Sequence, residues 1–249
     1  MNWYEEAFDE YYLDIYDHRD DDDALKDVMF AKDILELNHK KTLLDLCCGA
    51  GRHSVLFSPL VKKVVGYDLS IPLLNVASQN ALKQKCKNLF LLRGNMLHLD
   101  FNDCFDAVCS FFNSFGYFEK LEDHIKVLTN IYLSLNSGGC FLLDIMNVDY
   151  LKNNLIPISK KEIETYVITE KRSIDEHYSI VRKEVLIQLK SDLSEVKKYI
   201  ESVHFFSKPQ ITEMLLTVGF EDIIFFGSTD GASVTPYSKR LLVVCKKPN

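Results

Sequence analysis

The chain has 249 residues, of which 47% are hydrophobic and 26% are charged, values typical of a globular protein and unlike those of a disordered chain. Its formal net charge is −7, but residues 1–23 hold ten acidic residues and one arginine, so the remainder carries +2. The sequence has no basic stripe of the kind that nucleic-acid binders use, and no apolar run reaches the roughly 18 residues of a membrane span. Nucleic-acid and membrane partners are therefore disfavoured.

The seven cysteines are odd in number and form no Cys-x-x-Cys pair. Most of them lie in apolar surroundings, which favours buried free thiols in a reducing compartment over disulfides or a zinc site. The chain is acidic from its fifth residue, whereas a signal peptide has a basic start. We therefore expect a cytoplasmic protein.

In chain order, the sequence first predicts two helices, over residues 3–18 and 24–37. From residue 42 onward, short apolar strands alternate with helices, a pattern typical of a parallel sheet covered on both faces. Ligands of such sheets bind beyond the carboxyl ends of the strands. The predicted strands of this half are 42–47, 64–68, 89–92, 105–110 and 140–146, and its predicted helices are 72–85 and 121–135.

The pattern changes after residue 160. Three strand-like runs with few helical signals between them predict an antiparallel meander, and no Pro/Ser/Gly-rich linker flanks it, so we interpret it as an insertion. The predicted fold is therefore α/β, with a doubly wound, seven-stranded, mostly parallel sheet and an antiparallel β insertion. The meander runs are 165–171, 178–189 and 196–206, followed by a helix over 208–218 and strands over 223–226 and 241–245.

A glycine turn follows the first strand. Gly49 and Gly51 let the backbone approach a ligand closely, and Asp45 near the strand end would repel a pyrophosphate but suits a cationic ligand. Asp68 ends the second strand, where an acidic side chain can accept both hydroxyls of a ribose. Ser54 stands where a dinucleotide-binding motif has its third glycine. The pattern implies a ligand with a ribose, a positive charge and no phosphate, which argues against a nicotinamide oxidoreductase.

The segment Leu43-Leu44-Asp45-Leu46-Cys47-Cys48-Gly49-Ala50-Gly51, together with Asp68, resembles the motifs of class I S-adenosylmethionine-dependent methyltransferases. The resemblance covers residues 40–146 closely and implies that the loop Asp45–Gly51, with Cys47 in place of the family's first glycine, holds the methionine part of the cofactor. It also implies that Asp68 binds the ribose and that Leu69 lies against the adenine.

Two further positions follow the third strand. Asn95 and Met96 stand where the family has an acid and a hydrophobic residue that contact the adenine, and the Asn95 side-chain carbonyl can accept from the adenine amino group. The resemblance thus implies S-adenosyl-L-methionine as cofactor and S-adenosyl-L-homocysteine as product. Because the leaving group is a neutral thioether, no metal is required.

The N-terminal helix resembles the lid of small-molecule members of this family, in which a tyrosine reaches over the cofactor. Tyr12 and Tyr16 share one helix face and are assigned to this role. The domain organisation that follows is a lid over residues 1–39, a cofactor-binding domain over 40–160 and 207–249, and an inserted cover over 161–206.

The segment Ser110–Tyr117 follows the fourth strand, where this family meets its substrate. We assign Phe111 to the cofactor's sulfonium, and Phe112, Asn113 and Tyr117 to the acceptor. The segment lacks the Asp/Asn-Pro-Pro-Tyr pattern of methyltransferases that act on flipped adenines or glutamine amides, which argues against those substrates.

The meander resembles the substrate cover of sugar-amine and glycine N-methyltransferases, and its exposed edge offers a surface for a homodimer. Within it, Arg172 is assigned to the substrate and His204, among apolar neighbours, to the pocket. Tyr237 and Arg240, just before the last strand, are assigned to the border of the acceptor site.

The resemblance implies an in-line attack by a nitrogen or oxygen of a small-molecule acceptor on the sulfonium methyl group. The catalytic candidates are His204, Tyr16 and His18. His18, His53 and His204 are all possible bases and the sequence does not select one, but the position of His53 after the glycine turn favours a role at the cofactor end or in helix packing. Two alternatives stay open. The chain could methylate tRNA or protein, or it could bind the cofactor as a regulatory subunit without turnover.

Overall fold

The computed structural model describes residues 3–9, 11–12, 21–177 and 179–249. Its helices are α1 (Trp3–Ala7), α2 (Asp21–Ile34), α3 (Arg52–Phe57), α4 (Ile71–Lys83), α5 (Leu121–Ser134), α6 (Val148–Asn154) and α7 (Lys208–Val218). Its strands are β1 (Thr42–Leu46), β2 (Lys63–Asp68), β3 (Leu89–Arg93), β4 (Phe105–Ser110), β5 (Leu135–Met146), β6 (Ile158–Glu162), β7 (Tyr166–Asp175), β8 (Ile180–Leu189), β9 (Glu195–His204), β10 (Glu221–Phe226) and β11 (Arg240–Lys246).

The main sheet has seven strands in the order β10-β11-β5-β4-β1-β2-β3. Strand β11 is antiparallel to both of its neighbours, and the other pairings are parallel. The chain leaves β1 toward β2 and β3 on one side and later returns to place β4 on the other, so the strand order reverses between β1 and β4. The predicted doubly wound, mostly parallel sheet is confirmed.

The sequence of β1 explains why this sheet is covered on both faces. Leu43 packs into an apolar cluster that includes Val28 of α2 and Phe57 of α3. Leu44 packs into a second cluster, which includes Leu128 of α5 and continues to α7. Successive side chains of a strand point to opposite faces, so a strand buried on both faces reads as a continuous apolar run.

A second sheet of four antiparallel strands, β6-β7-β8-β9, is inserted between α6 and α7. The sequence predicts three of these strands and misses β6. Ile158–Glu162 has a single large apolar residue among charged ones and lies at the sheet edge with alternate residues exposed, so it carries little hydrophobic signal. One face of this sheet packs against α1 through a small cluster around Ala7, Ile168 and Val185.

The helices in the described part of the chain are too short or too polar to cross a membrane.

Candidate active site

A cavity of about 820 Å³ opens at the carboxyl ends of β1, β2 and β4. The glycine turn after β1 and the segment after β3 form its floor, and Tyr4 and Phe8 from the N-terminal segment line it as well. The position agrees with the rule that ligands bind where the strand order reverses. Of the residues assigned from sequence, the cavity brings together Tyr12, Asp45, Cys47, Gly49, Asp68, Leu69, Asn95, Met96, Phe111, Phe112 and Tyr117.

The turn after β1 takes the left-handed backbone conformation three times, at Cys47, Gly49 and Gly51, with φ between 53° and 76°. At Gly51 a Cβ atom would lie 2.8 Å from the Cβ of Ala77 on α4. A side chain at this position would therefore push α4 away from the start of α3. Gly51 does not line the cavity itself; it allows the close packing that forms the turn.

Two carboxylates flank this turn, of which Asp45 is buried and Asp68 is partly buried. Asp68 accepts hydrogen bonds from the backbone N–H groups of Gly49 and Ser70, both at 2.8 Å. Asp45 accepts one from Ser54 Oγ at 2.5 Å. Burial raises the pKa of both groups, and the charge of Asp68 raises that of Asp45 further. A cationic ligand in the cavity would offset the cost of ionising these two carboxylates, since an opposite charge stabilises a carboxylate anion.

A narrow part of the cavity lies beyond β3. Asn95 begins a short 3-10 turn and its side chain accepts from Leu97 N at 2.9 Å, and buried Met96 packs into the core behind it. Gly94 approaches the ring of Tyr67 so closely that a Cβ atom would lie 1.9 Å from the Tyr67 hydroxyl. A side chain at this position would therefore displace the ring of Tyr67.

Aromatic rings form the rest of the wall. Tyr117 stacks on Phe8, with ring centroids 5.8 Å apart, and also contacts Tyr4 and Trp3. Phe111, at the end of β4, stacks on the imidazole of His53 with centroids 4.4 Å apart and an interplanar angle of 12°. The cavity is thus lined by apolar rings as well as by two carboxylates, a combination typical of small-molecule sites.

The structure places four of the assigned residues away from the cavity. His204 ends β9, where its N–H donates to Gly116 O at 2.7 Å and its ring lies beside His124. The side chain of Asn113 accepts from Met146 N at 3.2 Å and so holds the turn after β4. Arg172 pairs with Glu170 on the inserted sheet, and Tyr237 is 85% exposed. These positions do not support the roles assigned to them from sequence.

Arg240 lies behind the cavity wall rather than inside it. Its guanidinium donates two hydrogen bonds to the carboxylate of Asp144, at 2.9 and 2.8 Å, and one to Asp27 at 2.6 Å. The same group lies 5.5 Å from the ring centroid of Phe112. Arg240 thus supports a wall residue and is itself held by two buried acids. Tyr16 and His18, the remaining assigned residues, lie outside the described residues.

The pair of His53 and Asp27 lies at the cavity; from sequence, His53 is one possible base that is not selected, and Asp27 has no assigned role. His53 lines the cavity, and its Nε2 lies 3.2 Å from Oδ2 of Asp27, a carboxylate with no solvent exposure. The sequence spacing does indicate that Asp27 is buried, because Asp27 shares a helix face with Ala24 and Ala31. Both of these alanines are buried. An acid on the apolar face of a helix indicates a buried partner.

Comparison with known proteins gives a consistent result. Residues 43–139 match the family described as a methyltransferase domain. The demethylmenaquinone methyltransferase of Lactiplantibacillus plantarum is 36% identical over 102 residues, which cover 39% of this chain and 41% of that protein. The match thus spans about two fifths of that curated relative's length. A cypemycin N-terminal methyltransferase of a Streptomyces species is 25% identical over 214 residues, which cover 83% of each chain.

Among solved structures, the sugar N-methyltransferase of a Streptoalloteichus species superposes with a TM-score of 0.74 at 17% sequence identity. The superposition covers 96% of this chain and 93% of that one. At this level of identity the likeness shows a shared fold, which includes the inserted sheet because nearly the whole chain is covered.

Proposed function

We propose that this protein transfers a methyl group from S-adenosylmethionine to a nitrogen or oxygen of a small-molecule acceptor. Residues 43–139 match the family described as a methyltransferase domain, and the chain shares its fold with an S-adenosylmethionine-dependent methyltransferase of known structure. The observation that carries the proposal is the pair of carboxylates, buried Asp45 and partly buried Asp68, in a cavity that aromatic rings also line. This arrangement suits a ligand that combines a ribose, a positive charge and apolar groups.

The cavity residues fit the parts of this cofactor. Asp68 would accept the ribose hydroxyls, and Asn95 with Met96 would hold the adenine. The backbone at Gly49 leaves room for the methionine part, and Asp45 lies below it. The residues present therefore fit the group that the fold implies.

When bound, S-adenosylmethionine supplies a methyl group on a positively charged sulfur, which leaves as a neutral thioether. The chain's own residues bring the acceptor into line with that methyl group and exclude water. Tyr4, Phe8 and Tyr117 line the cavity, and their rings would keep water away from the reacting groups. Positioning of this kind and a dry site supply much of the acceleration of a group transfer.

A second candidate acceptor is the N-terminal amine of a peptide. It is favoured by the match to the cypemycin N-terminal methyltransferase, which covers 83% of both chains. The sugar N-methyltransferase with the shared fold favours a small amine instead. Where the small-molecule acceptor is an amine as well, the size of the acceptor distinguishes the two candidates.

The test uses purified protein, methyl-labelled S-adenosylmethionine and a cell extract separated into small metabolites, peptides, proteins and RNA. We expect label in the small-metabolite fraction, and its mass would identify the acceptor. Label in peptides would favour the second candidate, and label in protein or RNA would contradict the proposed substrate class. The variant Asp68→Ala serves as control and should leave every fraction unlabelled at low cofactor concentration.

A further inference from the structure

A cluster of buried charged groups lies directly behind the cavity and joins four segments that are far apart in sequence. Asp27 comes from α2, His53 from α3, Asp144 from β5 and Arg240 from β11. Arg240 bridges the two carboxylates, and Asp27 connects Arg240 to His53. Asp27, Asp144 and His53 are all buried. Of these residues only His53 also lines the cavity.

The cluster has one negative charge too many when His53 is neutral. Asp27 and Asp144 carry two negative charges, and Arg240 supplies one positive charge. Burial opposes ionisation of Asp27, but its hydrogen bond to His53 and the charge of Arg240 outweigh burial and lower its pKa. Asp45 on β1 also interacts electrostatically with His53. A proton on His53 therefore neutralises the cluster, and buried charges are stable when they are paired in this way.

The imidazole has one nitrogen engaged and one that no hydrogen bond uses. Nε2 of His53 lies 3.2 Å from Oδ2 of Asp27, and since an ionised carboxylate only accepts, Nε2 carries the proton between them. Among the described residues, no hydrogen bond to Nδ1 is present. The ring is fixed by its stacking on Phe111 at the cavity wall.

We propose that His53 is the proton acceptor of the methyl transfer, an inference that rests on the proposed function. The attacking nitrogen or oxygen forms a bond to the methyl carbon, the carbon–sulfur bond breaks, and its electron pair stays on the sulfur. As the bond to the methyl carbon forms, the acceptor gives its proton to Nδ1 of His53, which becomes an imidazolium paired with Asp27. Solvent takes the proton when the product leaves. These steps need no metal and no further reactant.

Asp27 and Arg240 are positioning residues in this scheme. Asp27 fixes the tautomer of His53, as the second nitrogen of a catalytic imidazole requires. Arg240 holds Asp27 and also fixes Asp144, whose Oδ2 accepts from Phe112 N at 2.7 Å. The cluster thus connects the proton acceptor to the turn after β4, at which Phe112 adopts a left-handed backbone conformation with φ of 56°.

The first experiment needs no acceptor. Protein labelled with ¹⁵N-histidine is saturated with S-adenosylhomocysteine, and the His53 signals are assigned by comparison with His53→Gln. We expect the neutral ring to carry its proton on Nε2, and Asp27→Asn to increase the population with the proton on Nδ1. A proton on Nδ1 in the wild-type protein, or one fixed charge state from pH 5.5 to 9, would overturn the proposal. Failure of the wild type to bind S-adenosylhomocysteine would instead count against the proposed function.

The second experiment uses the metabolite that takes label from S-adenosylmethionine. We expect His53→Gln to lower kcat by about 100- to 10,000-fold and to remove the acidic limb of the pH profile, with unchanged affinity for S-adenosylmethionine. His39→Gln is the matched control, because His39 is exposed before β1, at the opposite end of the sheet. An unchanged kcat together with a cofactor affinity at least about tenfold weaker would assign His53 to cofactor binding and overturn the proposal.

Discussion

The two sheets pair their charged residues in opposite ways. On the inserted sheet, Lys183 of β8 pairs with Glu201, directly opposite on β9, and with Glu170, diagonally across on β7. Behind the main sheet's cavity, Arg240 pairs with acids 96 and 213 residues away in the chain. The first arrangement needs only adjacent hairpins, whereas the second forms only when the whole domain has assembled. The ion pairs between strands of the inserted sheet are thus local in sequence, whereas those behind the cavity of the main sheet are non-local and tied to the site.

Replacement of Arg240 should have the largest effect on stability. Arg240→Met leaves two buried carboxylates without their partner, and we expect the free energy of unfolding to fall by about 3–5 kcal/mol. Arg182→Met, which removes a more exposed pair with Asp175 on the inserted sheet, should cost less than about 1 kcal/mol. Urea unfolding of both variants measures the contrast, and equal losses would refute it.

The pH dependence of stability tests the junction of the two sheets, where His124 of α5 lies beside His204 of β9. Burial lowers the pKa of His124 from its usual 6.5 to about 4. Between these values the unfolded chain binds a proton that the folded protein does not, so stability falls as the pH decreases. The loss amounts to about 3 kcal/mol at most. His124→Phe should show a shallower decrease between pH 7 and pH 4.5 in urea unfolding, and an identical slope would contradict this.

Replacement of Asp68 tests the cofactor site, and the expected change in free energy is smaller than in the two predictions above. Asp68→Ala removes a carboxylate that holds the turn through Gly49 and Ser70 and that would bind the ribose. We expect the affinity for S-adenosylmethionine, measured by calorimetry, to weaken about 10- to 100-fold, the equivalent of about 1.5–3 kcal/mol. Asp33→Ala on the exposed side of α2 is the control. If Asp68→Ala binds as tightly as the wild type, the ribose assignment is wrong.

The smallest effect is expected where the inserted sheet holds the N-terminal segment. Lys197 of β9 donates to Asp9 Oδ2 at 2.5 Å and to Glu6 O at 2.7 Å. Lys197→Met should speed the release of S-adenosylhomocysteine a few-fold in stopped-flow measurements, since a half-exposed pair contributes up to about 1 kcal/mol. Lys198→Met, next to it but paired with Glu184 on the same sheet, should leave the release rate unchanged. Equal release rates for both variants would show that this contact does not hold the N-terminal segment at the cavity.

The sequence predicts the main sheet well because its signals are local. The strands β1 to β4 begin and end within about one residue of their predicted bounds, since each is an apolar run bounded by turn residues. Helix α7 has the predicted bounds, with a capping box from Ser207 to Gln210 and a left-handed glycine at its end. Strand β6 and helix α6 were missed because neither carries a continuous apolar pattern.

The same distinction applies to the site. The glycine turn, Asp45 and Asp68 could be predicted because a single strand-turn-helix segment and the next strand contain them. The role of Arg240 could not, because its partners become apparent only once β5, β11 and α2 have assembled. His204 was favoured for its apolar neighbours, but burial alone does not distinguish a cavity wall from the junction of two sheets.

Strand β11, the last in chain order, lies inside the main sheet between β10 and β5. During synthesis, Asp27 and Asp144 leave the ribosome well before Arg240 does, and without its guanidinium their burial is unfavourable. We therefore expect these carboxylates to stay hydrated, and the main sheet to stay open around them, until β11 joins the sheet. The inserted sheet, built from consecutive hairpins, can form during translation. The cluster of charged residues behind the cavity thus makes completion of the site a late step of folding, because that step requires β11.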